Sequence, residues 1–253
     1  MDLGLSDRVY ILTGGSRGLG FATAQCLVAD GARVLIASRD EDNVARAVQR
    51  LGGHPTAGGL PADLADPQTP RRLVELAFAG FGRLDGVLIS VGGPPRGTPL
   101  EVTDEQWEDS FRAVFLGAVR MARTVAGRLD SGGVIGFVLS SSAREPVPGL
   151  AISNALRPGL GGFAKDLADE VGPRGIRVVG LLPHRILTDR NRELFAATGD
   201  AAKAQAESEA AISLRRVGEP EEFGRVAAFL LSPAASYLTG LTVPVDGGAL
   251  RSA

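Results

Sequence analysis

The sequence predicts an α/β domain built on a doubly wound parallel sheet with helices on both faces. Three observations carry this reading. Short continuous apolar runs recur along the chain, each separated from the next by a helix-compatible segment. A glycine-rich turn follows the first run directly and opens a helix. No polar linker divides the 253 residues. Apolar runs of this kind suit strands covered on both sides, and helical crossovers are what parallel strands need between them.

Val9 to Leu12 is the first run and ends in Thr13-Gly14-Gly15-Ser16-Arg17-Gly18-Leu19-Gly20, after which Phe21 to Ala29 is helix-compatible. Arg33 to Ala37 repeats the strand, and Asp40 to Leu51 follows as an amphipathic helix. Val87 to Ser90 reads as a third strand, Asp104 to Leu129 as a long helical pattern and Val134 to Leu139 as another strand. Leu160 to Val171 is predicted helical and stops near Gly172-Pro173, a breaker pair. Ile176 to Leu182 then reads as strand, Glu221 to Leu231 as helix and Leu241 to Val245 as a last short strand. Residues 1–253 are therefore read as a single domain. From Thr188 to Ala211 the chain is polar, Ala-rich and helix-permissive. With the loop before it, the segment 184–211 is predicted to form a lid over a substrate cleft, because loops beyond the carboxyl ends of parallel strands make the binding edge.

A formal charge of -2 gives no general pull towards nucleic acid or an anionic membrane. Cys26 is the only cysteine, which excludes an internal disulfide and a cysteine-built metal set; His54 and His184 are the only histidines, so no metal site is expected. No apolar stretch approaches the roughly 20 residues that span a bilayer, and no basic segment precedes a long apolar run at the start. The expectation is a soluble cytoplasmic protein.

Gly14, Gly18 and Gly20 stand directly between a strand and a helix. Glycines there permit the tight turn and let a pyrophosphate approach the amides at the helix end, which predicts dinucleotide binding. At the end of the second strand, where a carboxylate would bind the ribose hydroxyls of NAD, the chain has Ala37-Ser38-Arg39. Arg39 can pair with a 2′-phosphate, Ser38 can bond to it and Arg17 can flank it, so the predicted cofactor is NADP(H).

Further segments fall in the same order and spacing: Asp63-Leu64, the strand and turn from Leu84 to Gly93, Pro183-His184-Arg185-Ile186-Leu187-Thr188, and Val245-Asp246-Gly247-Gly248. Together with the glycine loop they resemble the short-chain dehydrogenase/reductase family over nearly the whole chain. The resemblance implies a Rossmann-type sheet, a homotetramer or homodimer, and an enzyme that reduces a carbonyl or oxidises an alcohol, with acyl-carrier-protein reductases as a family-level hint. It implies cofactor contacts from Gly14, Ser16, Arg17, Gly18, Leu19, Gly20, Ser38, Arg39, Asp63, Leu64, Ser90, Gly92, Arg157, Pro183, Ile186 and Thr188. Ile89 and Ser90 replace the two asparagines usual in the third of these segments, and His184 replaces a usual glycine.

The family's catalytic set departs further. Its Tyr and Lys positions fall on Ser153 and Arg157, and its Asn on Val114. The only tyrosines are Tyr10 and Tyr237 and the only lysines Lys165 and Lys203, so no Tyr-x-x-x-Lys pair exists anywhere in the chain. Ser140, with Ser141 as the alternative, fits the catalytic serine. Arg157 can hold the cofactor but remains charged at neutral pH and is a poor proton donor. His184 titrates in a useful range and is the candidate acid or relay. Arg96, Arg144 and Arg185 suggest that the cleft receives an acidic or acyl-linked carbonyl or alcohol substrate. Two functions follow: an atypical NADP(H)-dependent oxidoreductase, or a catalytically inactive NADP(H)-binding regulatory or scaffold protein.

Overall fold

The computed structural model describes residues 2–251. Strands β1 (Val9–Thr13), β2 (Arg33–Ser38), β3 (Ala57–Pro61), β4 (Gly86–Ile89), β5 (Val134–Val138), β6 (Arg177–Pro183) and β7 (Leu241–Val245) form one sheet in the order β3-β2-β1-β4-β5-β6-β7. Every pairing is parallel, from Val9 opposite Arg33 to Pro183 opposite Val245. The order reverses between β1 and β4, which opens a crevice at their carboxyl ends, where such sheets bind ligands.

Side-chain alternation along β1 shows how both faces are covered. Val9 and Ile11 enter one core with residues of α3 (Thr69–Phe81), α5 (Gly117–Ala126) and α6 (Ala151–Val171). Tyr10 and Leu12 enter the other with residues of α1 (Gly18–Ala29), α2 (Glu41–Arg50) and α9 (Pro220–Leu231). The inner strands are thus buried on both sides while the edge strands β3 and β7 are only partly so, which explains the unbroken apolar runs of the inner strands and confirms the doubly wound α/β class.

The differences from the sequence reading have physical causes. β3 and α3 lie in a stretch given no element, because Ala57-Gly58-Gly59-Leu60-Pro61 has weak strand propensity. Gly59 is there for space: a Cβ would meet Val44 Cγ1 at 2.4 Å. α6 begins at Ala151 rather than Leu160, running through Pro158, Gly159, Gly161 and Gly162, all poor helix formers. Tertiary packing overrides propensity here, since a Cβ on Gly159 would stand 3.0 Å from the Phe115 ring. The long helix expected from Asp104 is divided into α4 (Asp104–Ser110), a π-helical stretch Phe111–Leu116 and α5, and it ends at Ala126. The 184–211 segment folds into α7 (Asp189–Ala196) and α8 (Ala201–Ala211). Among the described residues no helix is long and apolar enough to cross a membrane.

Candidate active site at the carboxyl ends of the strands

β1 ends at Thr13, whose hydroxyl donates to the Ser90 carbonyl and accepts from the Ser90 amide, 2.9 Å in each case. This pair staples the glycine loop to the segment after β4, across the switch point. Gly14 has φ +59°, and a Cβ on it would meet the Ser90 carbonyl at 2.6 Å; one on Gly20 would meet the Gly14 carbonyl at 2.4 Å. The loop is therefore too tight for any side chain at either position. α1 starts at Gly18, with no side-chain cap from Arg17 and no acidic residue in its first turn. Its leading amides stay open at the positive end of the helix, an arrangement that fits a phosphate.

Ser38 closes β2, and its hydroxyl bonds that of Ser16 at 2.8 Å. Arg17 and Arg39, each next in sequence to one of these serines, are exposed and have no acidic partner among the described residues. Asp40 is the carboxylate that could compete, but it accepts from the Asn43 amide at 2.7 Å and caps α2. The end of β2 thus offers hydroxyls and guanidiniums while its acid is engaged. Asp63 accepts from the Ala65 amide at 2.9 Å, Leu64 is buried and a Cβ on Gly92 would meet open space. Pro183 ends β6, Ile186 is buried, and Thr188 lies against Gly18, whose Cβ would be 3.5 Å from Thr188 Cγ2. Leu19 is half-buried in the first turn of α1.

Three serines follow β5, Ser140 capping a short 3-10 turn (Ser141–Ala143) and Ser141 and Ser142 within it, and engage different partners. Ser140 is half-exposed, and its Oγ accepts from the Ser142 amide at 3.1 Å. Ser141 is buried, with Oγ 2.8 Å from His184 Nδ1. Ser142, which the sequence reading did not single out, is buried with Oγ 2.9 Å from Ser153 Oγ. Ser153 and Arg157 sit one turn apart on α6, both buried. Arg157 is only 5% exposed; Nη1 donates to the Val138 carbonyl at 2.9 Å, and Nε is buried with no partner among the described residues. Burial brings its guanidinium down to about 10. His184 is held below its ordinary range by burial and then by Arg185, against the upward pull of Asp246 and Glu145.

Neither tyrosine joins this cluster. Tyr10 is in the core, donating to the Leu231 carbonyl at 3.2 Å, and Tyr237 is fully exposed. Lys165 pairs with Asp169 on the outer side of α6, and Lys203 is exposed on α8.

A cavity of about 460 Å³ adjoins the cluster, lined by Arg96, Ser141, His184, Arg185, Phe195 and Glu207 among others. α7 and α8 form one wall of it. The Arg185 guanidinium stands over the Phe195 ring, 5.9 Å from its centre. Arg144 does not converge with the other two arginines: beyond the 3-10 turn its side chain runs towards β7 and donates to the Thr242 carbonyl at 3.2 Å. Two further contacts shape the cleft and carried no sequence signal. Asn154 both donates to and accepts from the Val147 backbone at 3.0 Å, and Arg190 at the start of α7 donates to the Pro94 carbonyl at 3.2 Å.

Comparison with known proteins agrees with this fold. A family model described as enoyl-(acyl carrier protein) reductase matches residues 14–249. The human protein "Dehydrogenase/reductase SDR family member 4" is 34% identical over 249 residues, covering 96% of this chain and 88% of its own. The chain belongs to the short-chain dehydrogenase/reductase family. A Mycobacterium tuberculosis protein named as an uncharacterised oxidoreductase is 36% identical over 251 residues, covering 96% of this chain and 92% of its own. The crystal structure of L-sorbose reductase from Gluconobacter frateurii, complexed with NADPH and L-sorbose, superposes with a TM-score of 0.92 at 29% identity and covers 100% of both chains. Within this short-chain dehydrogenase/reductase, Ser153 and Arg157 are buried on α6, with Ser153 bonded to one of the serines that follow β5.

Proposed function

We propose that this short-chain dehydrogenase/reductase is an NADP(H)-dependent oxidoreductase with a non-standard active site, acting on a carbonyl or alcohol substrate that carries an acidic group. One observation carries the reading. The loop after β6 joins the two halves of the site, because Thr188 packs against Gly18 of the phosphate loop while His184 bonds Ser141 at 2.8 Å beside the cavity. One loop thus touches both the cofactor loop and the Ser141–His184 pair.

Ser38, Ser16, Arg39 and Arg17 would hold the 2′-phosphate, with one oxygen of the Asp40 carboxylate engaged in capping α2. The NADPH complex of L-sorbose reductase, at 29% identity, supports the same preference. The uncapped start of α1 would take the pyrophosphate. The orphaned Nε of buried Arg157 supports a role towards the cofactor, since an unpaired buried donor is costly unless a ligand or water meets it. When bound, the nicotinamide supplies the hydride. Half-exposed Ser140 then orients the substrate oxygen, and His184, steadied by Ser141, gives or takes the proton. Arg96 and Arg185 receive the acidic group.

A second reading, a cofactor-binding regulatory or scaffold protein without turnover, is favoured by the Ser142–Ser153 pair, because Ser153, aligned by resemblance with the usual acid, is bonded to another poor proton donor. Fluorescence titration with NADPH and NADH, followed by turnover across small ketones, keto acids and acyl thioesters, separates the two. Tight NADPH binding with oxidation of NADPH on a keto acid supports the oxidoreductase. Tight binding with no turnover on any class supports the second reading.

A further inference from the structure

Arg96 and Arg185 face the cavity beside His184 without an acidic partner among the described residues. Arg185 is disfavoured as a cation by its own burial and by the charge of Arg96. His184, next in sequence to Arg185, has Nδ1 engaged by Ser141 at 2.8 Å, which leaves Nε2 as the ring's other proton site. The charged groups acting on His184 are Arg185 on its own loop, Glu145 on the segment after the 3-10 turn and Asp246 beyond β7. Arg96 from the segment after β4 and Glu207 from α8 complete the charges lining the cavity. Burial and Arg185 oppose a proton on the ring; the two carboxylates favour it.

We propose that an anionic substrate group docked against Arg96 and Arg185 loads a proton from solvent onto His184, so that the site gains its acid only once substrate is seated. This rests on the acidic-substrate reading above. The reason is reciprocal coupling: a carboxylate that offsets the Arg185 charge makes protonation of His184 easier, and by the same amount a protonated His184 tightens the carboxylate. Ser141 serves both states of the ring, since its hydroxyl donates to a neutral Nδ1 and, by turning, accepts from the imidazolium. The proton balance closes over a turnover. One proton enters from solvent on binding, is delivered from His184 to the substrate oxygen during reduction, and is replaced when the next substrate binds. Such a site would hold little acid while empty.

The chain suits a direct test because His54 and His184 are its only histidines, so two ring signals report everything. Proton NMR titration of those signals, assigned with His184→Gln, would be run alone, with saturating 3-phenylpropionate and with its neutral amide. The expected result is a rise of about one pH unit in the His184 midpoint with the carboxylate, a tenfold gain in proton affinity. No rise is expected with the amide, with Arg185→Gln, or at His54. A carboxylate that binds saturably while His184 titrates unchanged overturns the coupling and leaves the acidic subsite standing. A rise that persists in Arg185→Gln also overturns it. Absence of any saturable binding that distinguishes carboxylate from amide overturns both the coupling and the acidic-substrate reading.

Discussion

At the end of β2 a few polar atoms discriminate between cofactors. Among the described residues Arg39 has no acidic partner to hold it elsewhere, so its guanidinium is available to a phosphate. Arg39→Ala is expected to weaken NADPH by about tenfold while leaving NADH near its starting affinity, measured by nicotinamide fluorescence; an unchanged ratio would contradict the assignment. His184 gives a second prediction at this scale. Its folded value lies below the unfolded one, so as pH falls the unfolded chain takes the proton first. Stability from this group is present above about 6.5 and is lost as pH falls through the folded value. Urea unfolding of His184→Gln should therefore show a smaller loss between about pH 7 and pH 5 than the parent chain, in buffer free of carboxylates. The tight turn of the glycine loop was legible in the sequence because its backbone admits no side chain at Gly14 or Gly20. The bond from Ser141 to His184 was not, since the partners are 43 positions apart and meet only through the β5–β6 pairing. Nor was the departure of Arg144, whose direction depends on how the 3-10 turn packs against β7.

Elements show the same contrast between local and tertiary control. Strands β1, β2, β4, β5, β6 and β7 could be read from apolar runs, whereas β3 is held by its pairing with β2 and by a glycine that admits Val44. α6 continues through Pro158 because its inner face is packed, a fact that propensity cannot carry. The π-helical stretch before α5 is followed by Gly117, where a Cβ would meet the Leu64 carbonyl at 2.6 Å. Gly117→Val is expected to cost ~1–3 kcal/mol, because backbone rather than a flexible side chain must yield, and thermal or urea unfolding would measure it. Asp40→Ala removes the α2 cap and should cost about 1 kcal/mol. If it instead raised NADPH affinity strongly with no change in stability, Asp40 would be competing for the phosphate site rather than capping.

Across the whole molecule, stability and chemistry are placed at opposite ends of the sheet. Buried Asp85, just before β4, bonds the Val9 amide at 2.9 Å and pairs with Arg8 at 3.1 Å and Arg83 at 2.7 Å. It ties the starts of β1 and β4 together, at the edge remote from the glycine loop. Asp85→Asn should cost ~1–3 kcal/mol, discounted for the partial exposure of both arginines, with NADPH affinity unchanged once the protein is folded. A loss of cofactor affinity larger than the loss of stability would show that the two ends are coupled. The roof of the cavity follows a looser rule. Phe195 near the end of α7 and Ile212 just beyond α8 are both buried, yet α8 between them buries none of its residues. The roof is thus pinned at two points with a free span between, like a canopy on two posts. Mutations along that span should cost the fold little, so the lining of the cavity can change there without rebuilding the core.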